Sequence, residues 1–376
     1  MVHIVIAPDS FKESMTALEA ATAIQRGFQK TDPEATFDVI PMGDGGEGTM
    51  EALTANLGGE RIELQVEGPN IKSVTAHYAL SEDGTTAVMD MAAASGIHIT
   101  AKADRNVYEA STYGTGEMIS AALDRGVSRI MIGIGGSATN DAGAGMIEAL
   151  GAKLLDENGN AINRGGGALV KLAKIDISGL DERLAKTEII VACDVTNPLL
   201  GPEGASAVYG PQKGAGERAV VELDHALEVF NERTIEATGK DVSNIPGAGA
   251  AGGLGAGLLA FLDATLQPGI ELVLAETDFH TRVQKADLVF TGEGKIDGQS
   301  VYGKTPVGVA KAAKREGKRV IAVCGALGTG YKDVYEHGID AVFSIVPGAV
   351  SLEDAMTNGT SYLEDAAENI ARVWHK

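Results

Sequence analysis

Residues 129–145, R-I-M-I-G-I-G-G-S-A-T-N-D-A-G-A-G, place the tightest limit on what this chain folds into. Ile130, Met131, Ile132 and Ile134 form a short apolar run without polar alternation. Such a run reads as a strand covered on both faces, the signature of a parallel sheet with helices packed on each side. The run breaks at Gly135-Gly136-Ser137, and a helical stretch at 146–150 follows. A strand that empties through small residues into a helix exposes backbone N–H groups, with the positive end of the helix dipole behind them. That arrangement suits an anion, most often a phosphate. Asn140 and Asp141 are expected to add a carboxamide and a carboxylate at the rim. A mere packing turn would explain the glycines but not so many polar side chains between them. The stretch is therefore read as a binding loop.

The two ends of the chain repeat the strand–loop–helix order. A strand at 4–7 leads through Pro8-Asp9-Ser10-Phe11-Lys12 to a helix opened by a capping box, Thr16 and Glu19. A strand at 37–41 opens into Met42-Gly43-Asp44-Gly45-Gly46-Glu47, followed by a helix with Met50, Leu53 and Leu57 on one face. The rhythm returns at 287–291, 319–325 and 341–346, and the last helix carries Tyr362, Ala366, Ile370 and Val373 on one side. Together the ends supply about five parallel strands, which suits a flavodoxin-like sheet of order 2-1-3-4-5. In that order the strands at 4–7 and 287–291 are neighbours, and ligands bind at their carboxyl ends. Between the ends, the runs at 62–66, 74–80 and 86–91 alternate and read as antiparallel. The fold class is thus α/β: residues 1–66 with 284–376 as a flavodoxin-like domain, and 67–283 as a large inserted α/β domain with glycine-rich phosphate loops.

Charge narrows the partners. The formal net charge of -21 argues against nucleic acid and anionic membranes. Any anionic ligand must then be held by a few lysines, backbone N–H groups or a divalent cation. No apolar run approaches the roughly 20 residues that span a bilayer. Cys193 and Cys324 sit in apolar strand-like runs and read as free thiols of a reducing compartment, so a cytoplasmic location is expected. Homo-oligomerisation is left open.

Several loops hold groups suited to chemistry. Lys12 follows the first strand and would neutralise a phosphate or carboxylate. Asp44 and Glu47 stand on a glycine-rich turn, either as a metal or hydroxyl site or as a helix cap. Asp194 directly follows the buried run at 189–192, where a carboxylate holds Mg2+ or accepts a hydroxyl proton. The glycines at 247–257 read as a close-packing surface. Residues 298–305, G-Q-S-V-Y-G-K-T, match the letters of a Walker A loop, but the strand is expected to end near residue 291, too early for a true P-loop. Lys304 keeps a phosphate-facing role in either case. Residues 133–138 also match the dinucleotide fingerprint, with Asp156 as the ribose-binding acid, so a nicotinamide oxidoreductase of a small hydroxy acid is the alternative. A non-catalytic sugar-acid sensor is a further one. The 7 histidines are scattered, and neither H-E-x-x-H nor G-x-S-x-G occurs.

In order, A-P-D-S-F-K-E-S, D-G-G-E-G-T, I-G-G-S-A-T-N-D-A-G-A-G, C-D-V-T-N-P-L-L-G, G-P-Q-K-G-A, G-A-G-A-A-G-G-L-G-A-G and T-G-E-G-K-I-D-G-Q-S resemble the bacterial glycerate kinases of the glycerate 2-kinase type. The motifs run across essentially the whole chain. One departure is Gly43, where the pattern has alanine. The resemblance implies ATP-dependent phosphorylation of D-glycerate with Mg2+, giving 2-phosphoglycerate, by two α/β domains with the active site in the cleft between them. Glycerate is placed at Asp9, Ser10, Asp44 and Glu293, with Lys12, Asp194 and Asp297 as catalytic groups. ATP is placed at Gly135, Gly136, Ser137, Asn140 and Lys304. Asp194 is the Mg2+ ligand or base, with Asp297 and Asp44 as alternates.

Overall fold

The protein is described by a computed structural model covering residues 2–43 and 48–374, so the loop Asp44-Gly45-Gly46-Glu47 lies outside the described residues. The chain divides into two compact units, residues 1–57 with 268–376, and residues 58–267.

The first unit is built on a five-stranded parallel sheet. Its strands lie in the order Ala341–Ser344, Arg319–Leu327, Leu288–Ile296, His3–Ile6, Thr36–Val39. Counted along the chain that is 2-1-3-4-5, as the alternation of strands and helices predicts. Ile4 pairs with Leu288 and Ile6 with Phe290. Two further bonds, Ala7 N–H to the Phe290 carbonyl and Asp9 N–H to the Gly292 carbonyl, carry the pairing to the carboxyl edge. Ile4, Ile6, Leu288 and Phe290 share a core with helices Ala17–Gln29 and Gly359–Trp374. Val5 and Val289 point the other way by the period of two, and both are fully buried, so the sheet is covered on both faces. Thr16 and Glu19 form the reciprocal cap at the start of Ala17–Gln29. That helix meets Gly359–Trp374 so closely that a Cβ on Gly27 would stand 2.1 Å from the Glu364 carbonyl oxygen.

The second unit holds a six-stranded mixed sheet, in the order Thr265–Gln267, Glu188–Ala192, Arg129–Gly133, Thr86–Asp90, Ser73–Leu80, Glu60–Glu67. The first four strands are parallel and the last two antiparallel. Thr86–Asp90 therefore pairs both ways, antiparallel to Ser73–Leu80 and parallel to Arg129–Gly133, where the alternating pattern suggested antiparallel pairing alone. Residues 58–66 fall in this unit because Glu60–Glu67 pairs along its full length with Ser73–Leu80. Residues 268–283 fall in the first unit, as helices Gly269–Glu276 and Phe279–Val283 packed against Thr49–Leu57 and Thr305–Arg315. Ile130 and Ile132 are fully buried, within a core that also takes Met118, Ile147 and Leu258. Among the described residues no helix is long and apolar enough to cross a membrane.

Candidate active site

At the carboxyl edge of the five-stranded sheet, the first and third strands are adjacent and their following loops meet. Asp9 is 7% exposed; its carboxylate accepts from its neighbour Ser10 N–H at 2.6 Å and from the Thr305 hydroxyl at 2.7 Å. Thr305 opens helix Thr305–Arg315, so the carboxylate ties the first-strand loop to that helix. Glu293 accepts from the Ser300 hydroxyl at 2.6 Å, and the Lys304 ammonium stands 3.5 Å from its other oxygen. Asp297 is held below the usual carboxylate range, chiefly by the Lys295 ammonium 3.0 Å away and then by Gln299 N–H. Lys12 is exposed on a loop that crosses Gly294, where an added Cβ would lie 3.5 Å from the Lys12 backbone nitrogen. Glu13 next to it has φ 64, a conformation that side chains other than glycine rarely adopt and that functional loops often hold. Ser10, Lys12, Ser14, Thr16, Gly48 and Glu51 help line a cavity of about 480 Å³ here. A larger cavity of about 770 Å³, at Arg319, Phe343, Tyr362 and Trp374, is mainly apolar and lies away from the loops that follow the first and third strands.

The Walker-like stretch needs a correction. The strand runs to Ile296 and not to residue 291, so one residue separates it from Gly298, and the helix starts directly after Lys304. The extra length comes from parallel pairing with Arg319–Leu327, which continues through Lys295↔Ala326 and Ile296↔Leu327. The loop thus sits between strand and helix as a phosphate loop does. Lys304 lies with Asp9 and Glu293 in the first unit, while the other residues assigned to ATP lie in the second.

In the second unit, Gly133 pairs with Ala192, and Gly135 and Asp194 each stand two residues further on. Both emerge at the carboxyl edge of adjacent parallel strands, and both are exposed. The loop after Gly133 is clamped at two points. Ile97 N–H donates to the Gly136 carbonyl at 2.8 Å, and Ala138 N–H donates to the Ser95 carbonyl at 2.9 Å. Gly136 is left-handed at φ 71. Among the described residues none accepts from the N–H groups of Gly135, Gly136 or Ser137, so three consecutive donors remain for a ligand.

The dipole expected behind this loop is not available to it. The helix is Ala144–Ala149, only six residues long, and the buried Asp141 carboxylate accepts from Gly143 and Gly145 N–H at 3.2 Å each. Asp141 also accepts from the Thr112 N–H and hydroxyl, at 2.8 and 2.9 Å. Burial pushes its carboxyl up while these donors pull it down. Asn140 and Asp141 are fully buried and not at a rim. Asn140 donates to the Ser206 hydroxyl at 2.9 Å and supports the loop from beneath. Polar residues beside glycines look alike in sequence whether they face a ligand or hold the loop from inside.

The dinucleotide reading also fails on geometry. No helix follows residue 138 until Ala144, and Lys153–Leu155 pairs antiparallel with Lys174–Asp176 in a separate ribbon. Asp156 is a turn residue, its carboxylate accepting from Asn158 and Asn160 N–H at 2.8 and 2.9 Å.

The glycines at 247–257 form a packing surface, as read from the sequence. A Cβ on Gly252 would lie 2.0 Å from the Thr139 carbonyl oxygen, and one on Gly249 would lie 2.1 Å from that of Pro198. The tail of the Gly135 loop and the loop after Asp194 therefore rest on one support. Sequence reasoning missed three groups. Lys213, 2% exposed, donates to the Ser137 hydroxyl and the Thr139 carbonyl. Arg105 donates to the Ile97 carbonyl behind the Gly136 clamp. Thr305 holds Asp9. The lysine in G-P-Q-K-G-A was the one visible signal among them.

A profile of the glycerate kinase family matches residues 4–375. A glycerate kinase of Halalkalibacterium halodurans is 58% identical over 378 residues, covering 100% of both chains. A glycerate 2-kinase of Escherichia coli is 50% identical, covering 98% of this chain and 97% of that protein. A crystal structure assigned to glycerate kinase 2 of Salmonella typhimurium LT2 superposes with a TM-score of 0.92 at 49% identity, over 100% of this chain and 98% of that one. With its sheet orders, its loop of free amides and relatives alike from end to end, this chain is a kinase that belongs to the glycerate kinase family.

Proposed function

We propose that this enzyme transfers the γ-phosphoryl group of ATP to the 2-hydroxyl of D-glycerate, releasing ADP and 2-phosphoglycerate. The observation that carries this reading is the Gly135-Gly136-Ser137 loop, with three free N–H donors beside Asp194 at one sheet edge. The choice of the 2-hydroxyl rests on the 50% identity with a protein named glycerate 2-kinase.

Phosphoryl transfer needs positioning and charge stabilisation more than covalent help from the protein. Loop amides hold the phosphate oxygens of ATP. Lys12, exposed beside the cavity at Ser10, meets the glycerate carboxylate or a phosphoryl oxygen, with Asp9 and Glu293 fixing the surrounding loops. The glycerate hydroxyl oxygen forms the new bond to phosphorus, the bond to the ADP oxygen breaks, and the hydroxyl proton leaves to a carboxylate or water. Mg2+ when bound would offset charge on the phosphates, and such an ion is commonly held through one or two carboxylates together with phosphate oxygens and water. Asp194 supplies an exposed carboxylate at a strand end, which fits that donor set. It is assigned to Mg2+ or to the hydroxyl proton. Asp297, paired with Lys295, and Asp44, outside the described residues, are its alternates. The expected setting is a reducing cytoplasm.

The test is incubation with ATP, Mg2+ and D-glycerate. ADP should form, and the product should feed enolase directly without a mutase. No ADP at any enzyme level would end the proposal, and a product that requires the mutase would move the phosphate to the 3-position.

A further inference from the structure

Lys213 is a buried lysine without an obvious reason to be charged or buried. It closes the single turn Pro211–Lys213 and is followed by Gly214 at φ 101, which turns the chain away. Its ammonium nitrogen lies 2.6 Å from the Thr139 carbonyl oxygen and 2.7 Å from the Ser137 hydroxyl oxygen. A carbonyl only accepts, so one N–H is committed to Thr139. An ammonium has no lone pair, so at Ser137 it must also donate. The Ser137 oxygen is then an acceptor toward Lys213, and its own proton is free to point elsewhere. Ser137 is next to the exposed, amide-bearing Gly135 and Gly136.

We propose that Lys213 is a positioning residue for the nucleotide phosphates: it makes the Ser137 hydroxyl a donor toward them and locks the Thr139 end of the loop. This rests on the reading that the Gly135 loop holds ATP phosphates. A neutral amine at the same place has a lone pair and accepts the Ser137 proton, turning the hydroxyl inward. Burial brings the Lys213 ammonium down to about 7, against an opposing pull from Asp141. The charged groups set around the same loop are Asp141, bonded to Thr112, Gly143 and Gly145, and Arg105, bonded to the Ile97 carbonyl. A phosphate arriving at the loop adds negative charge and restores the proton to Lys213. Ligand binding above neutral pH is therefore coupled to proton uptake.

Two measurements decide it. Titration calorimetry of wild-type protein with a non-hydrolysable ATP analogue and Mg2+ at pH 8, in two buffers of different ionisation enthalpy, should show net uptake of a proton. Lys213→Met should abolish that uptake. Steady-state kinetics should show Ser137→Ala and Lys213→Met each raising the KM for ATP by about tenfold, the scale of one charge-assisted hydrogen bond, with the KM for glycerate unchanged. The double variant should be no worse than either single one. Absence of proton uptake in wild type, which needs no variant to fold, overturns the proposal. So does a Lys213→Met protein that melts earlier but keeps the wild-type KM for ATP while Ser137→Ala loses it. If neither variant changes the KM for ATP, the assignment of the loop to phosphate fails, and this inference falls with it.

Discussion

Single side chains at the two strand edges divide into those that face solvent and those that hold the loops. Asp194 and Lys12 are of the first kind. Asp194→Asn keeps the shape of an exposed side chain at a strand end and removes its charge, so turnover should fall at least about tenfold, roughly 1.4 kcal/mol of barrier, by more than any change in melting temperature accounts for. An unchanged rate would pass the role to Asp297 or Asp44. Lys12→Met should raise the KM for glycerate or ATP and leave stability alone, because an acidic chain holds anions with local cations. A fall in melting temperature with normal kinetics would make Lys12 structural. Lys213 is of the second kind, and its burial has a pH signature. Its group titrates near 7 when folded and at 10.5 as a free side chain. Between those values the unfolded chain binds more protons, so this residue's contribution to stability rises with pH from about 7 to 10. Urea melts at pH 7, 8 and 9 should show that slope in wild type and a flatter one in Lys213→Met.

At the scale of elements, the loops are held by what packs beneath them. Helix Ala250–Phe261 starts with Ala251, Gly252 and Gly253 in left-handed conformation, and this kink brings bare backbone against Thr139 and Ala142. Gly252→Ala adds a methyl 2.0 Å from the Thr139 carbonyl at φ 70, so the loop must move. A loss of about 2 kcal/mol or more in stability, together with a raised KM for ATP, is expected. A variant with wild-type stability would show that the support gives way without cost. Gly43, set apart by the resemblance as a departure, has its own local reason. A Cβ there would lie 2.7 Å from the Thr49 Cα at the start of helix Thr49–Leu57, so the glycine suits the close approach in this chain.

At the scale of the molecule, the second unit is one unbroken stretch, 58–267, whereas the first is assembled from both chain ends. Its sheet and its large buried cluster are formed from its own residues. A fragment of residues 58–267 should therefore melt cooperatively and show sharp near-ultraviolet dichroism. A broad, probe-dependent transition would mean that its stability depends on the rest of the chain.

Much of this was legible from local order alone. Strands and helices alternate regularly at both chain ends, and such alternation belongs to a covered parallel sheet, so the 2-1-3-4-5 order followed from counting strands there. The capping box at Thr16 and Glu19 is likewise a four-residue signal that needs no tertiary partner. The Gly135 loop could be located the same way, because a strand that ends in glycines shows its position in the letters. What the letters could not show is which polar residues face outward. Asn140 and Asp141 are buried beneath the loop, Lys213 reaches it from 74 residues away along the chain, and Thr305 reaches Asp9 across 296. Strand length was undecided for the same reason: the third strand extends to Ile296 only because Arg319–Leu327 lies beside it and pairs with it through Lys295↔Ala326 and Ile296↔Leu327. Periodicity and capping depend on neighbours in sequence, whereas burial, hydrogen-bond partners and proton affinity depend on neighbours in space.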